Sequence, residues 1–290
     1  MGARAGRSPV VIAGAISRAV EHTVPVLPGM LDGPVSEAAG TAAYLLSARA
    51  RAAVRANLEV VVPERHDHGR LARRVFVEQA RHYLETFRIL RLDRRRLLEL
   101  VEVDGWSNLA QAHARGRGVV LASAHLGPVV LCGQIVAAKG LDVSVLVETK
   151  SGDIGRIIDR ARGHLGIRTI ETSAIVGIGR SLRRGGVVGM LADRAIGGVG
   201  ERVPFFGREA LLPSGHVAIA LRTGAALVPG FAVRDGHRPR AVILPEIELD
   251  RTGGREANVR DGVRRWAAVL EPWIRRAPEQ WSVFEPIWQR

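Results

Sequence analysis

The chain has 290 residues, 47% of them hydrophobic, and a mean hydropathy of +0.07, which is enough for a sizeable core and excludes a disordered polypeptide. Its formal net charge of +13 comes almost wholly from arginine, since Lys139 and Lys150 are the only lysines; such an excess points to an anionic partner, whether nucleic acid, an anionic membrane or a phosphate-bearing substrate. The lone cysteine, Cys132, excludes an internal disulfide and a thiolate-built zinc centre.

Arg4 and Arg7 followed by the apolar Pro9–Ile16 faintly resemble a secretory leader, but the run is short and Arg18 closes it, so no cleavage is expected. Ser8 to Leu31 reads as mixed helix broken at Pro25 and Pro28. Ser36 to Leu58 reads as one helix, with small apolar residues leading to Arg49, Arg51 and Arg55 near its C-terminal end. That pattern suits a helix lying on anionic lipid, and equally one packed on the protein with a solvated arginine face. Pro63 to Gly69 is a loop. Leu71 to Leu90 is predicted to be a helix burying Val75, Val77, Tyr83, Leu84 and Phe87. A short helix at Arg94–Leu100, a strand at Leu100–Val103 and a helix at Asn108–Arg115 follow.

From there strands and helices alternate. Strands are predicted at Val119–Ser123, Val143–Glu148, Arg168–Glu171, Val187–Ala192, Ala226–Val233 and Ala241–Ile243. Helices are predicted at Val129–Lys139, Gly155–Leu165, Ala174–Arg184, Ser214–Thr223 and Val259–Arg275. The charge-free run Gly118–Ala138 holds Ser123, His125, Gly127, Pro128 and Gln134, and reads as strand, turn and helix rather than a membrane span. The expected fold class is α/β: a single domain over residues 63–290 with a central mixed, mostly parallel sheet flanked by helices. Residues 1–62 precede it as an amphipathic, membrane-associating helical extension.

Among nine histidines, His125 stands out. It ends the run Val119-Val-Leu-Ala-Ser-Ala-His125-Leu-Gly, which places an imidazole at the carboxyl edge of a sheet. No Cys, Asp or Glu neighbours it in sequence, so it reads as a general base rather than a metal ligand. His66 and His68 share a polar loop with Asp67, and His113, His164 and His216 lack helical partners at metal-ligand spacing. Asp193-Arg194 ends another strand, where the pair either binds substrate or ties a loop to the sheet. The glycines at 185–186, 197–198 and 200 match no phosphate-binding fingerprint. Arg222 precedes Gly224, a fitting left-handed helix cap. Four of the five tryptophans fall in the tail, as core residues or as a membrane-interface belt. Aromatic content of 4% and scattered arginines argue against nucleic acid as a partner.

Taken together these stretches resemble the bacterial lipid A late acyltransferase family, which includes phosphatidylinositol mannoside acyltransferases. The resemblance runs through Arg55-Ala-Asn-Leu58, Ala124-His125-Leu-Gly127, Val147-Glu148, Arg162-x-x-x-Gly166-Ile and Leu191-Ala-Asp193-Arg194. It continues in Pro204-Phe-Phe-Gly207, Leu221-Arg-Thr-Gly-Ala225 and Pro278-Glu-Gln-Trp281. It implies a membrane-associated O-acyltransferase on the cytoplasmic face of the inner membrane, peripheral or monotopic. The donor would be acyl-CoA or acyl carrier protein, and the acceptor a hydroxyl of a glycolipid or lysophospholipid, with no cofactor and no metal. By the same resemblance His125 is the base, and backbone N–H groups after it or Arg162 are the oxyanion donors. Relatives usually carry a carboxylate five residues after the histidine; here Pro128, Val129 and Val130 fill that stretch. Glu148 and Glu201 remain as substitutes for it: Glu201 is expected to stand in as the catalytic carboxylate, with Glu148, Arg162, Asp193, Arg194 and Arg222 binding substrate. The missing carboxylate also leaves a second reading, a catalytically degenerate homologue that binds lipid or a partner at the membrane.

Overall fold

The protein is described by a computed structural model covering residues 28–147, 153–171, 175–195, 197–236 and 238–288. In chain order its helices are α1 (Asp32–Leu46), α2 (Ala48–Val61), α3 (His68–Arg88), α4 (Arg94–Leu100), α5 (Trp106–Ala114), α6 (Val129–Ala138), α7 (Asp153–Gly163), α8 (Ile175–Arg183), α9 (Gly215–Thr223) and α10 (Arg255–Arg276). The strands are β1 (Glu102–Asp104), β2 (Val119–Ser123), β3 (Val143–Val147), β4 (Arg168–Glu171), β5 (Val187–Leu191), β6 (Glu201–Phe205), β7 (Arg208–Leu212), β8 (Ala226–Asp235) and β9 (Arg238–Ile243).

Seven strands form one sheet in the order β1-β9-β8-β2-β5-β3-β4. The five from β8 to β4 run parallel, β9 joins β8 antiparallel, and β1 follows β9. This is the expected mixed, mostly parallel sheet. Its central strands are Val-rich because both faces are covered. Val120, Ala122, Val188 and Leu227 face a core shared with α2, α3, α9 and α10, while Val119, Val187 and Val228 face Leu109 of α5 and Val136 of α6.

Connectivity positions the site. After β2 the chain passes through α6 to β3, on the far side of β5; after β5 it returns through β6, β7 and α9 to β8, on the other side of β2. The carboxyl ends of β2 and β5 therefore flank a topological switch point, where diverging connections leave a crevice.

Two local features differ from the sequence expectation. The helix read as Ser36–Leu58 is broken at Ser47 (φ −110°, ψ 69°), and the Arg51 guanidinium donates to the freed carbonyls of Tyr44 (2.8 Å) and Leu45 (3.2 Å). The antiparallel hairpin of β6 and β7 was not foreseen, although Val203 and Phe205 on one arm and Ala210 and Leu212 on the other alternate inward. Phe206 and Gly207, at φ 52° and 72°, make its two-residue turn. The tail tryptophans are core residues rather than a lipid-facing belt: Trp266 and Trp281 are buried, and Trp273 and Trp288 stack on Phe231 and Phe205. Among the described residues no helix is long and apolar enough to cross a membrane.

Candidate active site

His125 and Asp193 are 68 residues apart in sequence but opposite each other in space. Ser123 of β2 pairs with Leu191 of β5, so two steps further along each strand the register brings residue 125 to residue 193. His125 Nδ1 lies 2.8 Å from one Asp193 oxygen, and the His125 backbone N–H donates to the other at 3.0 Å. That second oxygen also accepts from the Trp281 indole N–H at 2.9 Å.

Asp193 is fully buried, whereas the His125 side chain keeps 28% of its surface exposed. Burial alone would raise the Asp193 carboxyl, but the His125 charge, its two hydrogen bonds and the Trp281 indole hold it below the usual carboxylate range. An ionised Asp193 makes Nδ1 the protonated ring nitrogen. Nε2, with no hydrogen-bond partner among the described residues, is left with the lone pair on a side chain that solvent reaches.

The loop carrying His125 is strapped to the C-terminal segment. Ser282 N–H donates to His125 C=O (2.8 Å) and Gly127 N–H to Gln280 C=O (2.9 Å), while the Gln280 side chain clamps both backbone groups of Arg234. Gly127 is required here, because its φ is +55° and a Cβ would lie 2.6 Å from Ala232 O. Since the N–H groups of His125, Gly127 and Val129 are all engaged within the protein, none of them is free to stabilise an oxyanion.

Beside the dyad, between α6 and the sheet, lies an apolar cavity of about 130 Å³. Ser123 and Leu191, each two residues short of the dyad, line it together with Val129, Val130, Val145 and Phe231. Arg162 reaches the same cavity and pairs with Asp159 at 2.9 Å. Cys132 also lines it, but burial pushes its thiol up, which removes it as a nucleophile.

The other residues singled out from the sequence sort as follows. Glu201 is not the carboxylate found on His125: it pairs with Arg260 of α10 at 3.3 Å, on the hairpin, and the acid that meets His125 is Asp193. The physical reason is strand adjacency, which puts the end of β5 rather than β6 beside the end of β2. Arg194 follows Asp193 and pairs with Glu285 at 2.8 Å. Arg222 belongs to the opposite edge of the sheet, because it precedes β8, whose first residue Ala226 pairs with Val119 at the start of β2. Glu148 lies outside the described residues. His216 is fully buried and pushed down to about 3 by that burial, so it stays neutral. No group of three potential metal ligands occurs among the described residues.

The sequence pattern of the family described as bacterial lipid A biosynthesis acyltransferase matches residues 12–290. The chain belongs to that family. A phosphatidylinositol mannoside acyltransferase of Mycolicibacterium smegmatis is 28% identical over 224 residues, covering 75% of this chain and 72% of the relative. One of Mycobacterium tuberculosis is 27% identical over 216 residues, covering 72% and 67%. The protein is thus an acyltransferase, on an α/β fold whose crevice holds a His–Asp pair beside an apolar cavity.

The residue that sequence reasoning left without a role in this acyltransferase is Trp281, although Pro278-Glu-Gln-Trp281 was among the matching stretches. Trp281→Phe keeps an aromatic ring but removes one of the three donors to a buried carboxylate. A stability loss of about 1–3 kcal/mol is expected in urea unfolding, with turnover reduced alongside. An unchanged midpoint would show that this N–H contributes nothing.

Proposed function

We propose that the protein transfers a fatty acyl group from a thioester, on coenzyme A or acyl carrier protein, to a hydroxyl of a glycolipid or lysophospholipid at an anionic membrane surface. The observation carrying this reading is the buried Asp193 held on Nδ1 of His125, which leaves the lone pair on Nε2, together with an apolar cavity lined by Ser123 and Leu191, each two residues short of the pair. Nε2 takes the proton of the acceptor hydroxyl as its oxygen attacks the thioester carbonyl. The tetrahedral intermediate then collapses, the C–S bond breaks, and the imidazolium gives its proton to the departing sulfur, which leaves as the thiol and restores the free base. Arg162, which lines the cavity, is the residue we assign to the oxyanion or to the donor's phosphates. No step calls for a metal or cofactor. Asp193 also answers the ground for a degenerate homologue, since a carboxylate missing at position 130 is present at 193.

Purified protein incubated with radiolabelled palmitoyl-CoA and a panel of lysophospholipids and mannosylated phosphatidylinositols tests this. Labelled lipid is the expected product. Its absence with every acceptor and with both carriers would overturn the reading.

The membrane part rests on α1 and its flanks. Met30, Leu45 and Leu46 are 83%, 65% and 86% exposed, and Ala38, Ala39, Ala42 and Ala43 lie exposed between them. Exposed Arg49 follows. An apolar stripe beside arginine suits the headgroup boundary of anionic lipid, and the cytoplasmic leaflet supplies such lipid. Leu45→Glu combined with Leu46→Glu is expected to weaken binding to phosphatidylglycerol vesicles at least about tenfold in sedimentation assays, since a buried leucine contributes about 1.5–3 kcal/mol. Unaltered sedimentation would place the membrane contact elsewhere.

A further inference from the structure

Gly133 stands in the middle of α6, where a glycine destabilises a helix relative to alanine. Neither of the usual reasons for glycine applies. Its φ is not positive, unlike that of Gly127, and a Cβ added there would meet nothing within 4 Å. The contrast with other cavity-lining glycines is direct. At Gly230 a Cβ would press on Leu121 at 2.9 Å, and at Gly189 on Val145 at 3.1 Å, so protein side chains already fill those spaces. Of the three glycines lining the cavity, Gly133 alone leaves the space of its missing side chain open. Val129 and Val130, four and three residues earlier on the same helical face, line the cavity with it.

We propose that Gly133 is a specificity-determining residue: its bare Cα leaves the path of the donor's acyl chain open and so sets the longest chain accepted. This deepens the acyl-transfer reading and rests on it. The size of the cavity supports the assignment. About 130 Å³ is close to an engineered cavity of about 150 Å³ that takes up benzene, so it holds roughly the first half-dozen carbons. A longer chain must continue past the α6 wall, where a side chain at 133 would stand in its way. Each buried methylene is worth about fourfold in affinity, and a leucine side chain displaces roughly three of them.

The test compares wild type, Gly133→Ala and Gly133→Leu on acyl-CoA donors from hexanoyl to stearoyl, alongside displacement of a fluorescent fatty acid by the matching free acids. Gly133→Leu is expected to lower kcat/KM for palmitoyl-CoA about 15- to 60-fold relative to octanoyl-CoA, with the same loss of long-chain binding. Gly133→Ala is expected to shift the profile in the same direction by a few-fold while melting at or above the wild-type temperature, which keeps the test open should the leucine variant fold poorly. An unchanged chain-length profile in both variants overturns the proposal. Wild type that binds fatty acids with this length dependence but transfers none would sink the acyl-transfer reading while leaving the chain gauge standing, so the two failures are distinguishable.

Discussion

His125→Ala is expected to lower the rate of acyl transfer by about a hundred- to ten-thousand-fold. Removing the partly exposed imidazole empties no packed core position, but it takes one donor from the buried Asp193 carboxylate, so a stability loss comparable to that of Trp281→Phe accompanies the loss of the base. What remains is the binding of donor and acceptor side by side, which still gives some acceleration through proximity. The same variant should bind the donor normally, so the loss belongs to kcat. Turnover equal to wild type would remove His125 from the chemistry, and with it the assignment of the dyad.

Asp193→Asn is the sharper experiment, because it changes charge with almost no change in shape. One carboxylate oxygen accepts from His125 Nδ1; the other accepts from both the His125 backbone N–H and the Trp281 indole. An asparagine must turn its NH₂ toward one of these places. Facing the two N–H donors would leave both unsatisfied in the interior, so the amide oxygen stays there and the NH₂ turns to Nδ1. The ring then accepts at Nδ1 and carries its proton on Nε2, the wrong tautomer for a base. A rate loss of about a thousand- to ten-thousand-fold is expected, similar to that of the same substitution in a serine-protease triad. Near-wild-type turnover would show that the carboxylate does not set the tautomer.

This substitution also carries a pH signature. Asp193 is held below its ordinary value in the folded protein, so it contributes stability that is present above its unfolded value, about pH 4, and is lost as pH falls through the folded one. Urea unfolding of wild type should therefore weaken more steeply below about pH 4 than that of Asp193→Asn. Parallel curves would mean that the carboxylate is not stabilised by its three donors.

Much of the architecture was legible without coordinates, for local reasons. The Val-rich runs at β2 and β5 reflect strands covered on both faces, and the strand–helix alternation from β2 onward follows from period alone. Gly224 caps α9 at φ 76°, as expected for a left-handed cap, because only backbone sterics decide it. The hairpin of β6 and β7 escaped because Pro204 and the charged pairs Glu201-Arg202 and Arg208-Glu209 interrupt its alternation, and the turn places a phenylalanine, Phe206, at positive φ.

The position of His125 at a strand end was also a local matter, and the sequence by itself determined it. Its partner was not. Covalent neighbours and motif spacing point along the chain, to position 130, which is a valine, and then to Glu201, because a linear sequence carries no other relation between residues. Asp193 was noticed as a possible substrate ligand, while its pairing with His125 depended on β5 inserting between β2 and β3 and on the register that sets Ser123 beside Leu191. Strand order is a property of how the whole sheet buries its faces, with no signature in either strand. Likewise Trp281 reaches Asp193 only because the C-terminal strap lies across the crevice, and Gly133 acquires meaning only once the space over its Cα is seen to be open. Local backbone preferences thus chose the elements and one catalytic candidate; long-range packing chose the carboxylate, the cavity and the strap that make a site of them.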